Sequence, residues 1–295
     1  MDSPRGLASL VGDVPGLASN WEFVASEPGL WLRIRRAMRP YLRGRAAPAH
    51  QVLKPLHLSD GWFVYFVFAP EGRLSPSHHF TLARLRDMGR RVFVVCAAAR
   101  AAAVPSELFD LADALYWKAT AGYDFSAYAL ALGAIAQHSP GADVLVLNDS
   151  VYGPFTDLRP FVDRTEWGFT GFTASSLHEN HIQSYAFIVR DVNPERLEQL
   201  RPALPSAFAY DRGDDVILCQ ELYLARVASR YMAVGACWYS VFEQVPDPTL
   251  VKPLELLEAG FPFMKKSVFG KHLKFQAHAL DDLRTHLTEA GHPAV

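Results

Sequence analysis

The residues best suited to chemistry stand together in "VLVLNDSVYGPF", where an apolar run ends on Asn148, Asp149 and Ser150 before a Gly-Pro pair stops the chain. A carboxylate at a strand end, beside a nucleotide-sized crevice, commonly serves a divalent cation, because Mg²⁺ and Mn²⁺ take oxygen ligands and bridge them to phosphates. Such a cation would stabilise the charge that develops on a departing diphosphate. Asp149 is placed for that work, with Asn148 and Ser150 as lesser oxygen donors. The competing reading is a polar turn closing a strand, since Asn, Asp, Ser and Gly-Pro all favour turns.

Four further stretches carry polar groups of the right kind. In "GYDFSAY", Asp124 is either the N-cap of a helix or a partner for a base or ribose, and Tyr123 either stacks on a base or belongs to the core. "HENHIQSYAFIVR" sets His181, Gln183 and Tyr185 on one face of a period-two strand, a polar row suited to sugar hydroxyls or phosphate. His178 and His181 lack a third ligand at metal-site spacing. "DDVILCQELYLARV" puts Glu221 in an apolar helical segment, either as an exposed-face residue or as a general base for an acceptor hydroxyl. Asp214 and Asp215 read as acids complementing a helix dipole. "PFMKKSVF" offers Lys265 and Lys266, either as diphosphate partners or as a solvated basic turn.

The elements that must position these groups alternate. "GWFVYFVF", "RRVFVVCA", "ALYW" and "DVLVLNDS" read as buried strands, the first, second and fourth as near-continuous apolar runs. Helical patterns around Phe80–Met88, Ser106–Leu111 and the segment after Gly122 separate them. That order is the signature of a parallel-sheet α/β fold, whose ligands sit beyond the carboxyl ends of the strands. "WGFTGFTAS" and "HIQSYAFIVR" lie too close together for a crossover helix and should pair antiparallel. Helices are expected near Asn193–Arg201 and Asp215–Ser229, and "CWYSVF" as a late strand. Residues 1–59, rich in Gly, Pro, Ala and Arg, read as an N-terminal helical appendage and linker outside the core. Residues 60–295 form the main domain.

The 295 residues carry a formal net charge of −2, so no global field favours nucleic acid. Cys96, Cys219 and Cys237 are far apart, with no CxxC spacing, which fits a reducing cytoplasm better than a zinc site or a disulfide framework. No leader and no membrane-spanning run is expected. In "WLRIRRAMRPYLRGR", Arg33, Arg35, Arg36, Arg39, Arg43 and Arg45 alternate with apolar residues and no acid. This segment either lies on an anionic membrane surface or docks on the body, and Pro40 interrupts it.

Taken in order, "GYDFSAY", "VLVLNDSVYGPF", "WGFTGFT", "HIQSYAFIV" and "GFPFMKK" resemble the rhamnan synthesis protein F family, glycosyltransferase-like proteins of bacterial cell-surface polysaccharide assembly. The resemblance covers about Trp62 to Phe269. It implies a GT-A-like, Rossmann-type sheet, a nucleotide-sugar donor such as dTDP-L-rhamnose, and a lipid-linked or growing polysaccharide acceptor. It departs from the usual Asp-x-Asp metal motif, since Asn148-Asp149-Ser150 holds one acid. Metal dependence is therefore open, and a non-catalytic subunit binding nucleotide sugars or glycans is the alternative reading.

Overall fold

The computed structural model describes residues 6–293. Among these, the main sheet has ten strands: β1 (Leu17–Glu22), β2 (His50–Lys54), β3 (Gly61–Phe68), β4 (Arg91–Ala97), β5 (Ala114–Lys118), β6 (Ala142–Asn148), β8 (Phe169–Ser175), β9 (His181–Ile182), β10 (Ala186–Val192) and β11 (Val234–Ser240). Two short strands, β7 (Val151–Tyr152) and β12 (Met264–Lys265), pair separately. The order across the main sheet is β1-β11-β8-β10-β6-β3-β4-β5-β2, with β9 beside β8.

Strands β6, β3, β4 and β5 are mutually parallel. Their order means that the chain winds outward from β3 through β4 to β5, then returns to the other side of β3 as β6. The strand ends of β3 and β6 thus form a topological switch point, where crossovers leave in opposite directions and a crevice opens. The expected antiparallel pairing of Phe169–Ser175 with Ala186–Val192 is present. Six of the ten strands run in one direction, so the α/β architecture with a mostly parallel sheet and an antiparallel hairpin is the one observed.

The continuous apolar strands are explained by cover on both faces. Trp62, Val64 and Phe66 of β3 pack with Phe125, Tyr128 and Leu132 of helix α3 (Tyr123–His138), while Phe63, Tyr65 and Val67 pack with Leu82 and Leu85 of α2 (Pro76–Asp87). Each fully buried side chain of this kind contributes about 1.5–3 kcal/mol, so β3 is fixed in place with its end aimed at the crevice.

The N-terminal segment differs from the appendage read in its composition. It does supply the helix α1 (Leu30–Arg43), but β1 pairs antiparallel with β11 and β2 with β5, so it closes both edges of the sheet. Val11, Val14 and Leu56 join the core. Its Gly, Pro and Arg content masked two strands whose exposed faces carry no apolar alternation.

Candidate functional site

Beyond the carboxyl ends of β3, β5 and β6 lies an open cleft of about 620 Å³. Phe66 and Phe68 enter from β3, Asn148, Asp149 and Ser150 from the end of β6 and the turn after it, residues 120–122 from the loop after β5, Tyr123 and Asp124 from the start of α3, and Asp211 completes the lining. Phe66 and Asn148 are register partners, which sets the two strand ends level.

Asp149 is held by α2. Ser75 caps this helix, its side chain accepting from the His78 N–H, while His78 Nδ1 accepts from the Ser75 N–H at 3.1 Å. With Nδ1 engaged as an acceptor, the ring proton sits on Nε2, which donates to Asp149 Oδ2 at 3.1 Å. The Phe68 N–H donates to the same oxygen at 2.9 Å. The other carboxylate oxygen makes no hydrogen bond among the described residues, and the side chain lines the cleft, 20% exposed. Helix α2 also secures the following loop, through Thr81 Oγ1 donating to Gly153 O (2.6 Å) and Arg84 donating to the Pro154 and Phe155 carbonyls. Gly153 has φ +114, and a Cβ there would meet Pro262 O at 2.5 Å, so no other residue fits.

Asn148 is a bridge. Its Nδ2 donates to Asp124 Oδ2 at 2.8 Å, and its Oδ1 accepts from the Ser150 N–H and hydroxyl. The Asn148 oxygen is therefore occupied by Ser150, whose hydroxyl acts as the donor. Asp124 is not the N-cap. Gly122 holds that place at φ +83, and a Cβ on it would crowd Pro48, Ser126 and Ala209 within 3 Å. Tyr123 follows at φ 50, a left-handed conformation that is an outlier for a bulky residue. The Tyr123 ring is 48% exposed and lines the cleft. Phe68, 47% exposed, lines the same cleft.

Burial raises the Asp124 carboxyl above its ordinary value, and the Glu221 charge adds to the rise, against the opposing hydrogen bonds from Asn148 and the Phe125 N–H. Glu221 itself lies one layer behind. It closes a π-helical turn (Ile217–Glu221), an element that recurs at functional sites. Its Oε2 accepts from the Ser184 N–H at 3.2 Å and from the Ser184 hydroxyl. The Tyr128 hydroxyl links the two acids, 3.0 Å from Ser184 O and 3.3 Å from Asp124 Oδ2.

Lys265 and Lys266 are brought next to the end of β6 through the β7–β12 pair. Lys265 is the register partner of Val151, and the Lys266 N–H donates to Ser150 O at 2.9 Å. Their ammonium groups sit over the rings of Tyr185 (4.4 Å) and Tyr152 (5.4 Å). Burial lowers the Lys266 pKa, while the nearby Asp149 opposes the shift.

The family model for rhamnan synthesis protein F matches residues 92–289, more than half of the chain. The chain belongs to the rhamnan synthesis protein F family. The coarse class that follows is a transferase-type enzyme of polysaccharide synthesis. Among solved structures, the crystal structure of HddC from Yersinia pseudotuberculosis is similar at 10% identity and TM-score 0.36, covering 62% of this chain and 89% of that one. The inositol-1-phosphate CTP transferase from T. maritima is similar at 9% identity and TM-score 0.37, covering 75% and 98%. No curated protein matches. The family match begins at Val92, so β3, with Phe66 and Phe68, and α2, with His78, stand outside the matched residues.

Within this member of the family, the cleft gathers Tyr123, Asp124, Asn148, Asp149 and Ser150, while Lys265 and Lys266 lie next to Val151 and Ser150 and outside the lining. It does not gather His181 or Gln183. The strand expected through them breaks after Ile182, and the chain turns at Ser184 and Tyr185. His181 is 3% exposed, its Nδ1 against Glu179 O at 3.0 Å, and Gln183 Oε1 accepts from Thr173 Oγ1 at 2.5 Å. His181 is covered by α4 (Leu222–Ala228) and the neighbouring strand, and Gln183 is half-buried against Thr173. Asp215 stands in the first turn of a short helix, as read, and is in addition 1% exposed and ion-paired with Arg39.

Three groups were missed. His78 is signalled only by the Ser-Pro start of its helix. Asp211, whose Oδ1 accepts from the Gly122 N–H at 2.9 Å, follows an unremarked loop. Lys118 looks like the last residue of a strand, yet its ammonium is buried and donates to Ala121 O at 2.7 Å. Burial pulls it down to about 8, against the opposing charges of Asp124 and Asp211.

Toward a divalent cation, the cleft offers the free oxygen of Asp149 and few other uncommitted donors. One Asp149 oxygen is engaged twice, the Asn148 oxygen is taken by Ser150, and among the described residues no group of three or more His, Cys, Asp or Glu side chains could hold a metal ion. Mg²⁺ is commonly held by one or two carboxylates, with substrate phosphates and water completing its octahedron.

Proposed function

We propose that the chain is a glycosyltransferase that moves a sugar, rhamnose being the family's namesake, from a nucleotide-sugar donor to a polysaccharide or lipid-linked acceptor of the cell envelope. The observation that carries this is the cleft at the β3–β6 switch point, walled by two exposed aromatic rings and floored by carboxylates. Tyr123 and Phe68 offer flat apolar faces for a base, each such stack being worth about 1–3 kcal/mol. Asp211 and the free oxygen of Asp149 accept hydrogen bonds from ribose or sugar hydroxyls.

The base role moves from Glu221 to Asp124 in this reading, because Asp124 lines the cleft and its raised pKa suits it to hold a proton. Asp124 takes the proton of the acceptor hydroxyl. The acceptor oxygen bonds to the anomeric carbon, the bond from that carbon to the diphosphate breaks, and its electron pair leaves with the diphosphate. Lys265 and Lys266 supply positive charge beside the end of β6, where that anion forms. Glu221 is a positioning residue, fixing Ser184 and raising Asp124.

The test is to incubate the chain with a panel of nucleotide sugars and measure released nucleoside diphosphate, with and without EDTA. The expected result is release that survives chelation, accompanied by a rise in melting temperature with the matching nucleoside diphosphate. The pinned Asp149 oxygen favours a second reading, a subunit that binds nucleotide sugars without turnover. Thermal stabilisation with no release under any acceptor would select it.

A further inference from the structure

Helix α1 is seated with its polar side inward. Arg36 donates to Leu218 O (3.1 and 3.0 Å) and pairs with Glu179, and Arg39 pairs with Asp215. Leu32 and Pro40 complete that inner side, half-buried. At 3.6 residues per turn, Leu30, Trp31, Ile34, Met38, Tyr41 and Leu42 fall within an arc of about 120° on the opposite side. All six are exposed, from 44% for Ile34 to 88% for Tyr41. An amphipathic helix that docks through arginines and turns its apolar stripe to water is reversed relative to a helix serving a core.

The charge around the stripe is complementary to one kind of partner. Arg33 and Arg35 are exposed and flank the stripe on either side, and the helix contains no acid. Long basic side chains beside an apolar arc extend to headgroup phosphates while the arc enters the acyl boundary. A basin of about 550 Å³ opens along the helix, with Arg33, Arg36, Arg226 and Arg230 among its lining. Glu179 neutralises Arg36 and Arg226, whereas Arg33 and Arg230 make no ion pair among the described residues.

We propose that α1 is an in-plane membrane helix that seats this protein on an anionic bilayer, with Leu30, Trp31, Ile34, Met38, Tyr41 and Leu42 in the lipid boundary and Arg33 and Arg35 on the phosphates. Among the described residues no helix is long and apolar enough to cross a membrane, so attachment is to one leaflet surface. The same helix grips Leu218, within the turn that carries Glu221, and Asp215 just before it, so the bilayer lies on that side of the molecule. The proposal stands apart from the transferase reading, since a chain inactive on every donor would still bind lipid.

The full chain is sedimented with phosphatidylcholine vesicles and with vesicles containing one-third phosphatidylglycerol, at low and high salt. Wild type is expected to pellet with the anionic vesicles, with weaker binding at high salt. The double variant Trp31→Ser, Leu42→Ser should lose about tenfold or more in affinity, and Arg33→Glu, Arg35→Glu should lose the preference for phosphatidylglycerol at about fivefold or more per charge. Both pairs are exposed, so melting curves should match wild type. Brominated lipids should quench tryptophan fluorescence in wild type without any substitution. Failure of wild type to bind anionic vesicles overturns the proposal, as does equal binding by both variants. A wild-type dimer that ignores vesicles and is split by Trp31→Ser, Leu42→Ser would reassign the stripe to a contact between copies of this chain.

Discussion

Two polar clusters stand at strand ends in this molecule and meet opposite fates. Asn148-Asp149-Ser150 closes β6 and opens into the cleft. Glu179, His181, Gln183 and Ser184 surround the short β9 and turn inward, where Glu179 is 2% exposed between Arg36 and Arg226. Composition does not separate the two. Topology does: β6 ends where the crossovers diverge, so nothing covers it, whereas β9 ends beneath the helices that follow β10. A polar residue at a strand end is available for chemistry only where the winding leaves that end uncovered.

The sharpest way to break the comparison is at Glu179. Glu179→Ala leaves two arginines unpaired in a buried setting, and a loss of about 3–5 kcal/mol is expected. Denaturant unfolding reads it. A normal unfolding midpoint with lost nucleotide binding would place Glu179 in the site and erase the distinction drawn here. Asp149→Asn should do the reverse. It keeps an acceptor for the Phe68 N–H but removes the charge, and sugar transfer is expected to fall about 10- to 100-fold, the scale of one charged hydrogen bond, with the unfolding midpoint nearly unchanged. Unaltered transfer would remove Asp149 from the mechanism.

Tyr123→Ala and Phe68→Ala sharpen it further. Each is expected to weaken nucleoside diphosphate binding by about 1–3 kcal/mol in calorimetry. Gln183→Ala, in the inward cluster, should leave that affinity intact. The smallest effect is a pH dependence. The lowered Lys118 pKa means that the unfolded chain binds more protons than the folded one between pH 8 and the usual lysine value, so this group raises stability as pH climbs through that window. The raised pKa values of Tyr65, Tyr128 and Tyr185 act in the opposite sense at still higher pH. Between about pH 8 and 9.5 the Lys118 contribution is on the order of 2 kcal/mol. Lys118→Met should flatten the rise between about pH 8 and 9.5, and identical profiles for the two proteins would count against a buried ammonium.

Much of the site is legible before any coordinates exist. The apolar run of Val144–Leu147 ends on a polar triplet, and the ordered alternation of strand and helix implies that such an end is a ligand edge. Lys265 and Lys266 lie beside that edge through a two-residue ladder too short to read in the sequence. Asp211 and His78 were not legible, because each is defined by a partner 71 or more positions away. The row of His181, Gln183 and Tyr185 misled for a related reason. Period-two alternation assumes an unbroken strand, and the chain turns at Ser184.

The sequence by itself determined the local elements, since periodicity, Ser-Pro starts and apolar runs act over a few residues. It also determined that one acid would close the central strand. Only the tertiary structure decided that residues 1–59 finish both sheet edges, that Glu221 sits behind Asp124, and that α1 turns its apolar stripe outward. Those outcomes depend on which distant surfaces meet, and hydrophobic burial and ion pairing between distant segments are not encoded in the spacing of neighbours.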